Sequence, residues 1–229
     1  MKKLATLFVA VLLLAASSAL AANQVRISQV YGGGGASSTT TVAYQNDFVE
    51  VFNSGGTAVN IGGWTLEYGS ATGNFGSSSG NIFTFPAGTM IQPCSYLLVV
   101  STSSVSGNGP SLTASADFTC SFAMGATSGK VGLFSVVNTN IACGSITNVV
   151  DMVGWGAATC YEGSAAAPAP STTTADIRAN GGLQDNDQNS TDFTAATPTP
   201  RNAASAQNAA CLATPTLSRT WGSLKSIYR

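Results

Sequence analysis

Apolar residues along this chain fall in short runs rich in Val, Ile, Phe and Tyr, each bounded by Gly, Asn, Ser or Pro. That is the pattern of strands separated by turns. It predicts strands over Val25–Tyr31, Asp47–Phe52, Trp64–Tyr68, Ile82–Phe85, Tyr96–Ser101, Lys130–Val136, Asn148–Val153 and Thr173–Arg178. Within Asp47–Phe52, Val49 and Val51 alternate with Phe48, Glu50 and Phe52. One face is purely aliphatic and the other aromatic with a carboxylate, as expected for a strand with one buried face. Helical periodicity over ten residues is missing between the N-terminal segment and the C-terminus. Many short strands with turn-rich spacing favour an all-β sandwich or barrel over an α/β fold.

The N-terminal segment is a different kind of pattern. Lys2 and Lys3 precede an apolar run, Leu4 to Ala16, and Ala19-Leu20-Ala21 offers small residues for a signal peptidase. Residues 1–21 therefore read as an export signal, because the run is short of the roughly 20 apolar residues a membrane span needs. The remaining 208 residues suffice for one large core. Three loose segments interrupt the strands: Gly32–Ala43, Gly69–Asn81 and the Pro/Ala-rich Ala165–Ser171. They read as long Gly/Ser/Thr-rich loops of one domain, residues 22–202. An Ala/Asn/Ser-rich linker (203–216) and a tail (217–229) are expected to follow.

Charge narrows the choice of partner. Without Lys2 and Lys3 the chain keeps seven cations against ten carboxylates, a net charge of −3. Arg219, Lys225 and Arg229 lie in the tail, so the body carries only Arg26, Lys130, Arg178 and Arg201 against all ten acids. Nucleic-acid affinity comes mainly from neutralising phosphates, and this body has little to do it with. A basic partner surface or a neutral ligand fits better.

Several ordered blocks resemble the exported bacterial branch of the lamin tail domain family. They are VRISQVYGGGG (Val25–Gly35), YQNDFVEVFNSGGTAVNIGGWTLEY (Tyr44–Tyr68), SGKVGLF (Ser128–Phe134), VVDMVGWGAATCYEG (Val149–Gly163) and the closing stretch Ala167–Asn202. The resemblance implies an immunoglobulin-like β-sandwich. In exported bacterial proteins such domains accompany nucleases and other hydrolases, and animal relatives are linked to DNA contacts; the basic surface for the latter is missing here. The resemblance also implies a Cys143–Cys160 disulfide, a pair seen in related exported domains. Closing that loop stabilises by about 3 kcal/mol in the chain-entropy picture.

Five cysteines in an exported chain point to disulfides and one leftover thiol. Cys94 precedes one strand and Cys120 sits in the next strand-like run, so they form the expected second pair, although four cysteines allow three pairings. Cys211 is then left in the linker, free or joining two molecules.

The chain has no His, which removes Ser-His-Asp and Cys-His catalysis and His-ligated zinc. Paired carboxylates could still cleave a glycoside; Asp47, Glu50, Glu67, Asp151 and Glu162 are the candidates, with solvent-facing or turn-bonding roles as the plainer account. Gly32–Gly35 follows a strand but precedes a poor helix, so a flexible hairpin loop explains it better than a phosphate cradle. Asp185, Asp187, Asn189 and Asp192 place oxygens at spacings that suit calcium, without the Gly and Glu that complete such loops; a polar turn needs the same residues. Trp64 and Trp155 read as core aromatics, while Tyr31, Tyr44 and Tyr68 form a stacking platform only if they share a face. In the tail, Trp221, Leu224 and Tyr228 are spaced for one face of a short helix beside three cations, which suits a sorting or anchoring signal; an ordinary basic, frayed terminus or a strand docking on the sandwich is the plainer account.

The expectation is a secreted, noncatalytic binding or structural module with an extracellular ligand. The alternatives are an accessory domain that binds polysaccharide or nucleic acid for an extracellular hydrolase, and a carboxylate-based glycoside hydrolase.

Overall fold

The computed structural model of the protein describes residues 24–37, 40–105 and 108–212. The expected export signal and the tail 217–229 lie outside the described residues.

All eight expected strands have a counterpart: β1 (Val25–Tyr31), β2 (Asn46–Asn53), β4 (Thr65–Gly69), β5 (Ile82–Thr84), β7 (Tyr96–Val105), β9 (Gly129–Phe134), β10 (Val149–Trp155) and β11 (Ala175–Arg178). Four shorter strands join them: β3 (Val59–Asn60), β6 (Met90–Ile91), β8 (Phe118–Cys120) and β12 (Phe193–Ala196). Six form one sheet in the order β12-β11-β1-β2-β7-β8, and four form a second, β10-β9-β4-β5, while β3 pairs with β6. Every pairing is antiparallel except β7 with β8.

The two large sheets enclose the main core. Val25, Ile27, Val30, Val49, Val51 and Val99 of the six-stranded sheet pack with Leu66, Val131, Leu133, Val153 and Trp155 of the other. Each fully buried aliphatic or aromatic side chain contributes roughly 1.5–3 kcal/mol. The alternation in β2 is as expected, with Val49 and Val51 turned inward. Its other face differs from the expectation of a single buried face. Phe48, Glu50 and Phe52 are also fully buried, because later parts of the chain cover the outside of the sheet. Tyr31, Phe48, Leu98 and Val100 form a second apolar cluster there with Tyr44 and Leu112.

The segment after β12 completes this cover. Gln29 pairs its side-chain amide with the backbone of Thr199 in both directions, at 2.8 and 3.1 Å. Glu50 accepts from the Arg201 N–H and guanidinium. Asp117 accepts from Ala203 N–H, and Asn208 N–H donates to Cys94 O. Cys211 is disulfide-bonded to Cys94. Residues 203–212, expected as a linker, are thus a strap fastened to the sandwich. The expected Cys94–Cys120 bridge is corrected at the same point. Cys120 is a free, buried thiol pushed up to about 11 by burial, because it faces the core between the sheets while Cys94 faces the strap. Cys143 is bonded to Cys160, holding the loop that covers Phe75, Phe134 and Met152 on the outside of the smaller sheet.

Candidate functional site

The site grows from a gap in the larger sheet. β11 pairs with β1 only at Gln29 and Val30, so the backbone of Ile27 on that side has no strand beside it. Two side chains substitute for the missing rung. The Ile27 N–H donates to Asp151 Oδ2 from β10, and Arg178 Nε donates to Ile27 O at 2.8 Å. A buried backbone group left unpaired costs about as much as a lost hydrogen bond, so this position requires an acceptor and a donor.

Arg178 is the centre of the arrangement. Its side chain is fully buried, with one terminal nitrogen 2.8 Å from both Asp151 oxygens and the other 2.9 Å from Asp185 Oδ1. The guanidinium carbon lies 4.5 Å from the centre of the Phe193 ring. Burial works against its charge, but Asp151 and Asp185 outweigh that and raise its pKa. Arg26 reaches the second oxygen of Asp185 at 3.5 Å.

Glu162 stands beside this pair. Asp151, Glu162 and Asp185 bring carboxylate oxygens within 4.8 Å of one another. Burial first, then the charge of Asp151, push the Glu162 carboxyl up to about 9, so at neutral pH it keeps its proton. Its oxygens accept from Met152 N–H and from Asn189 Nδ2, both at 3.2 Å.

The residues expected to hold calcium have other duties. Asn189 is fully buried, and its amide runs along the edge of β10, accepting from Gly154 N–H and donating to Met152 O, each at 2.9 Å. It does for that edge what another strand would do. Asp192 accepts from the N–H groups of Asn186 and Gln188 at 2.8 and 3.1 Å. Burial opposes its ionisation, but these donors hold its carboxyl below the usual range. Asp187 is exposed on a positive-φ turn, and Asp185 is paired with arginine. The four oxygens therefore do not converge on a common point, and the loop is built as a latch for β10. The carboxylates that do gather are Asp151, Glu162 and Asp185.

The remaining sequence candidates are separated by the sandwich. Glu50 lies under the strap, bonded to Arg201 and Ser28. Glu67 is buried outside the smaller sheet, accepting from Thr65 and Asn138 N–H. Asp47 accepts from Gly34 and Met124 N–H at the opposite end, 2.7 and 2.9 Å away. None of them faces solvent; of the solvent-facing and turn-bonding roles anticipated, Asp47, which accepts from loop N–H groups, comes nearest to the second. Gly32–Gly34 are buried rather than a flexible hairpin; a Cβ on Gly34 would collide with the backbone of Asn46 and Asp47. Trp155 is in the core and Trp64 packs against it. Tyr31 and Tyr68 are buried in different clusters, so they share no platform.

Sequence reasoning gave no functional weight to Asp176. It is fully buried on β11 with neither oxygen hydrogen-bonded among the described residues, and burial raises its carboxyl to about 8. Its neighbours in sequence, Ala-Asp-Ile-Arg, gave no sign of that surrounding.

Beside the Arg178 cluster lies an open cleft of about 860 Å³. Asn180, Gln184, Asp185 and Asn186 form one wall, and Asn208 and Ala210 of the strap form the other. A smaller cleft of about 280 Å³ lies at the other end, lined by Gly32, Gly33, Met124 and neighbours.

The profile of the Lamin Tail Domain family matches residues 18–157. The chain belongs to the lamin tail domain family. No curated protein matches it. Among solved structures, the lamin tail domain described here is similar to a DUF4876 family protein from Bacteroides thetaiotaomicron, with a TM-score of 0.53 at 12% identity over 82% of this chain and 75% of that one. The likeness is one of fold. Two disulfides fit an oxidising compartment, extracellular or periplasmic. Among the described residues no helix is long and apolar enough to cross a membrane.

Proposed function

We propose that this lamin tail domain is a secreted, noncatalytic binding or structural module that engages a neutral or basic partner. The observation that supports this reading is the state of its carboxylates. Glycoside hydrolysis needs two of them across an open cleft, one ready to attack or to activate water and one ready to give a proton. Among the described residues, Asp151, Glu162 and Asp185 bring their carboxylate oxygens within 4.8 Å of one another. Asp151 is buried with both oxygens on Arg178 and one also on Ile27 N–H, so it is closed to a substrate.

The surface argues in the same direction about partners. All four cations of the described residues are held internally: Arg178 and Arg201 by carboxylates, Arg26 by Leu183 O and Asp185, and Lys130 by Ser70 O and Ala71 O. A polyanion finds no free positive charge there.

The purified mature chain tests this reading when offered chromogenic glycosides, labelled DNA at low salt and cationic or neutral polymers. Retention on the cationic or neutral polymers without turnover is expected. Turnover abolished by Glu162→Gln, or a salt-resistant DNA shift, overturns the reading.

A further inference from the structure

Residues 197–203, which carry the chain from β12 into the strap, are held at alternate positions by side chains of the sandwich. Thr199 N–H donates to Gln29 Oε1 at 2.8 Å, and Gln29 Nε2 donates back to Thr199 O at 3.1 Å. Arg201 N–H donates to Glu50 Oε2 at 2.7 Å, and Ala203 N–H to Asp117 Oδ2 at 3.0 Å. A spacing of two is that of an extended chain. Pro198 and Pro200, which have no N–H to offer, are buried between these positions. Three side chains thus form a ladder for one extended segment, where a sheet would use a neighbouring strand.

Arg201 fills a pocket shaped for a guanidinium. Glu50 is fully buried, accepts from Ser28 Oγ at 2.6 Å and takes two of the arginine nitrogens. The third nitrogen donates to the Tyr96 hydroxyl at 2.7 Å, and the Tyr96 ring centre lies 3.8 Å from the guanidinium carbon. A carboxylate beside an aromatic face suits the planar fork of arginine better than the point charge of lysine. The hold beyond this pocket is polar. After Pro200 no residue up to Leu212 is buried, and a segment with few buried apolar contacts opens at low cost.

We propose that this groove is a recognition site for an extended, arginine-bearing segment of a partner polypeptide, which residues 197–203 occupy in cis as a gate. The gate shows what the partner must carry: an extended backbone with N–H groups at alternate positions, and arginine directly after a proline. The proposal rests on the basic partner of the proposed function and gives it a site. Tethering holds the gate at a millimolar effective concentration, so the partner enters where it binds more tightly than the gate or where the gate has lifted.

A fluorescent peptide with the gate's own sequence, TPTPRNAAS, tests this on the full mature chain by polarisation. Arg201→Ala empties the pocket and leaves Gln29, Glu50, Tyr96 and Asp117 in place. That chain is expected to bind the peptide about tenfold more tightly than the unaltered chain, whose gate competes. Alanine in place of the peptide's arginine is expected to weaken binding by about tenfold or more, since bonds to a charged group are lost. Glu50→Gln also loosens the gate but removes the carboxylate, so it is expected to bind no better than the unaltered chain. Cys211→Ser alters no groove residue and frees the far end of the strap; intermediate binding is expected, and it replaces Arg201→Ala if that chain does not fold. No binding by either gate variant, binding indifferent to the peptide's arginine, or equal binding by Arg201→Ala and Glu50→Gln overturns the proposal. Dimers of the Cys211→Ser chain, with the gate of one copy in the groove of the other, overturn the choice of partner. Polymer retention by the unaltered chain reads the proposed function separately, so either can fail without the other.

Discussion

Arg178 and Arg201 each cross a seam of the domain to a carboxylate, yet the two seams differ in depth. Arg178 is fully buried and joins β11 of one sheet to Asp151 of the other, with Asp185 beside it and Glu162 kept protonated near by. Arg201 keeps 23% of its side chain exposed and ties the strap to Glu50 on the outside of a sheet that is already formed. It also stacks on Tyr96, 3.8 Å from the ring centre, and donates to the Tyr96 hydroxyl. The first pair stands in for missing strand hydrogen bonds, and the second fastens a cover. Breaking the first opens the edge between the sheets, whereas breaking the second loosens only what lies on top.

Asp151→Asn tests the deeper seam and carries the largest expected effect. The Arg178 guanidinium stays buried, with Asp185 at 2.9 Å and the more distant Asp192 at 3.8 Å as its remaining carboxylates, and Ile27 N–H loses a charged acceptor. Removing one member of a buried pair costs about 3–5 kcal/mol, to be read as a lower urea midpoint at unchanged slope. A loss below 1 kcal/mol would show that water reaches Arg178 and that the two seams are alike.

Glu50→Gln is the matching change at the strap. Arg201 can recover hydration through its exposed edge, so the cost is that of hydrogen bonds to a charged group, about 1.5–3 kcal/mol. The distinguishing sign is local. Trypsin is expected to cut after Arg201 in the variant before the domain unfolds, because opening of the strap no longer requires breaking the ion pair. Cleavage only on global unfolding would mean that the strap and the sandwich are one cooperative unit.

The same contrast explains what could be read from the residues alone. The inward faces were legible, because Val49-Val51 and Leu66 alternate at strand period and meet their partners within the core. Three of the four short strands were missed for want of signal: β3 and β6 have two residues each, and Phe193–Ala196 sits in a polar stretch, whereas β8 is the strand-like run around Cys120. The burial of Glu50 could not be read locally, since Arg201 lies 151 positions away. Of the two expected cysteine pairs, Cys94–Cys120 failed for the same reason: Cys94 joins a residue 117 positions on, carried there by a strap that composition marks as a linker. Asp185–Asp192 was ambiguous in kind. Asp and Asn suit a metal loop and a hydrogen-bonded latch equally, and only the edge of β10 decides between them.

Per group and per pH unit, the smallest expected effect concerns two acids that keep their protons for different reasons. Asp176 is held at about 8 by burial alone, and Glu162 at about 9 by burial and the charge of Asp151. In the unfolded chain both lose their protons near the ordinary value of about 4. Between those limits the folded state binds the extra protons, so stability falls as pH rises. Each group contributes a slope of at most about 1.4 kcal/mol per pH unit. Asp192, held low, acts in the opposite sense, its contribution being lost as acid protonates it. Stability is therefore expected to decline from mildly acidic pH towards pH 8. Asp176→Asn should flatten that part of the curve, leaving the Glu162 share, which continues to about pH 9. Melting temperatures that rise steadily from pH 5 to pH 8 would mean that both carboxyls are ionised in the folded protein. In that case Asp176 has found a partner, and the Arg178 seam carries more negative charge than its two arginines balance.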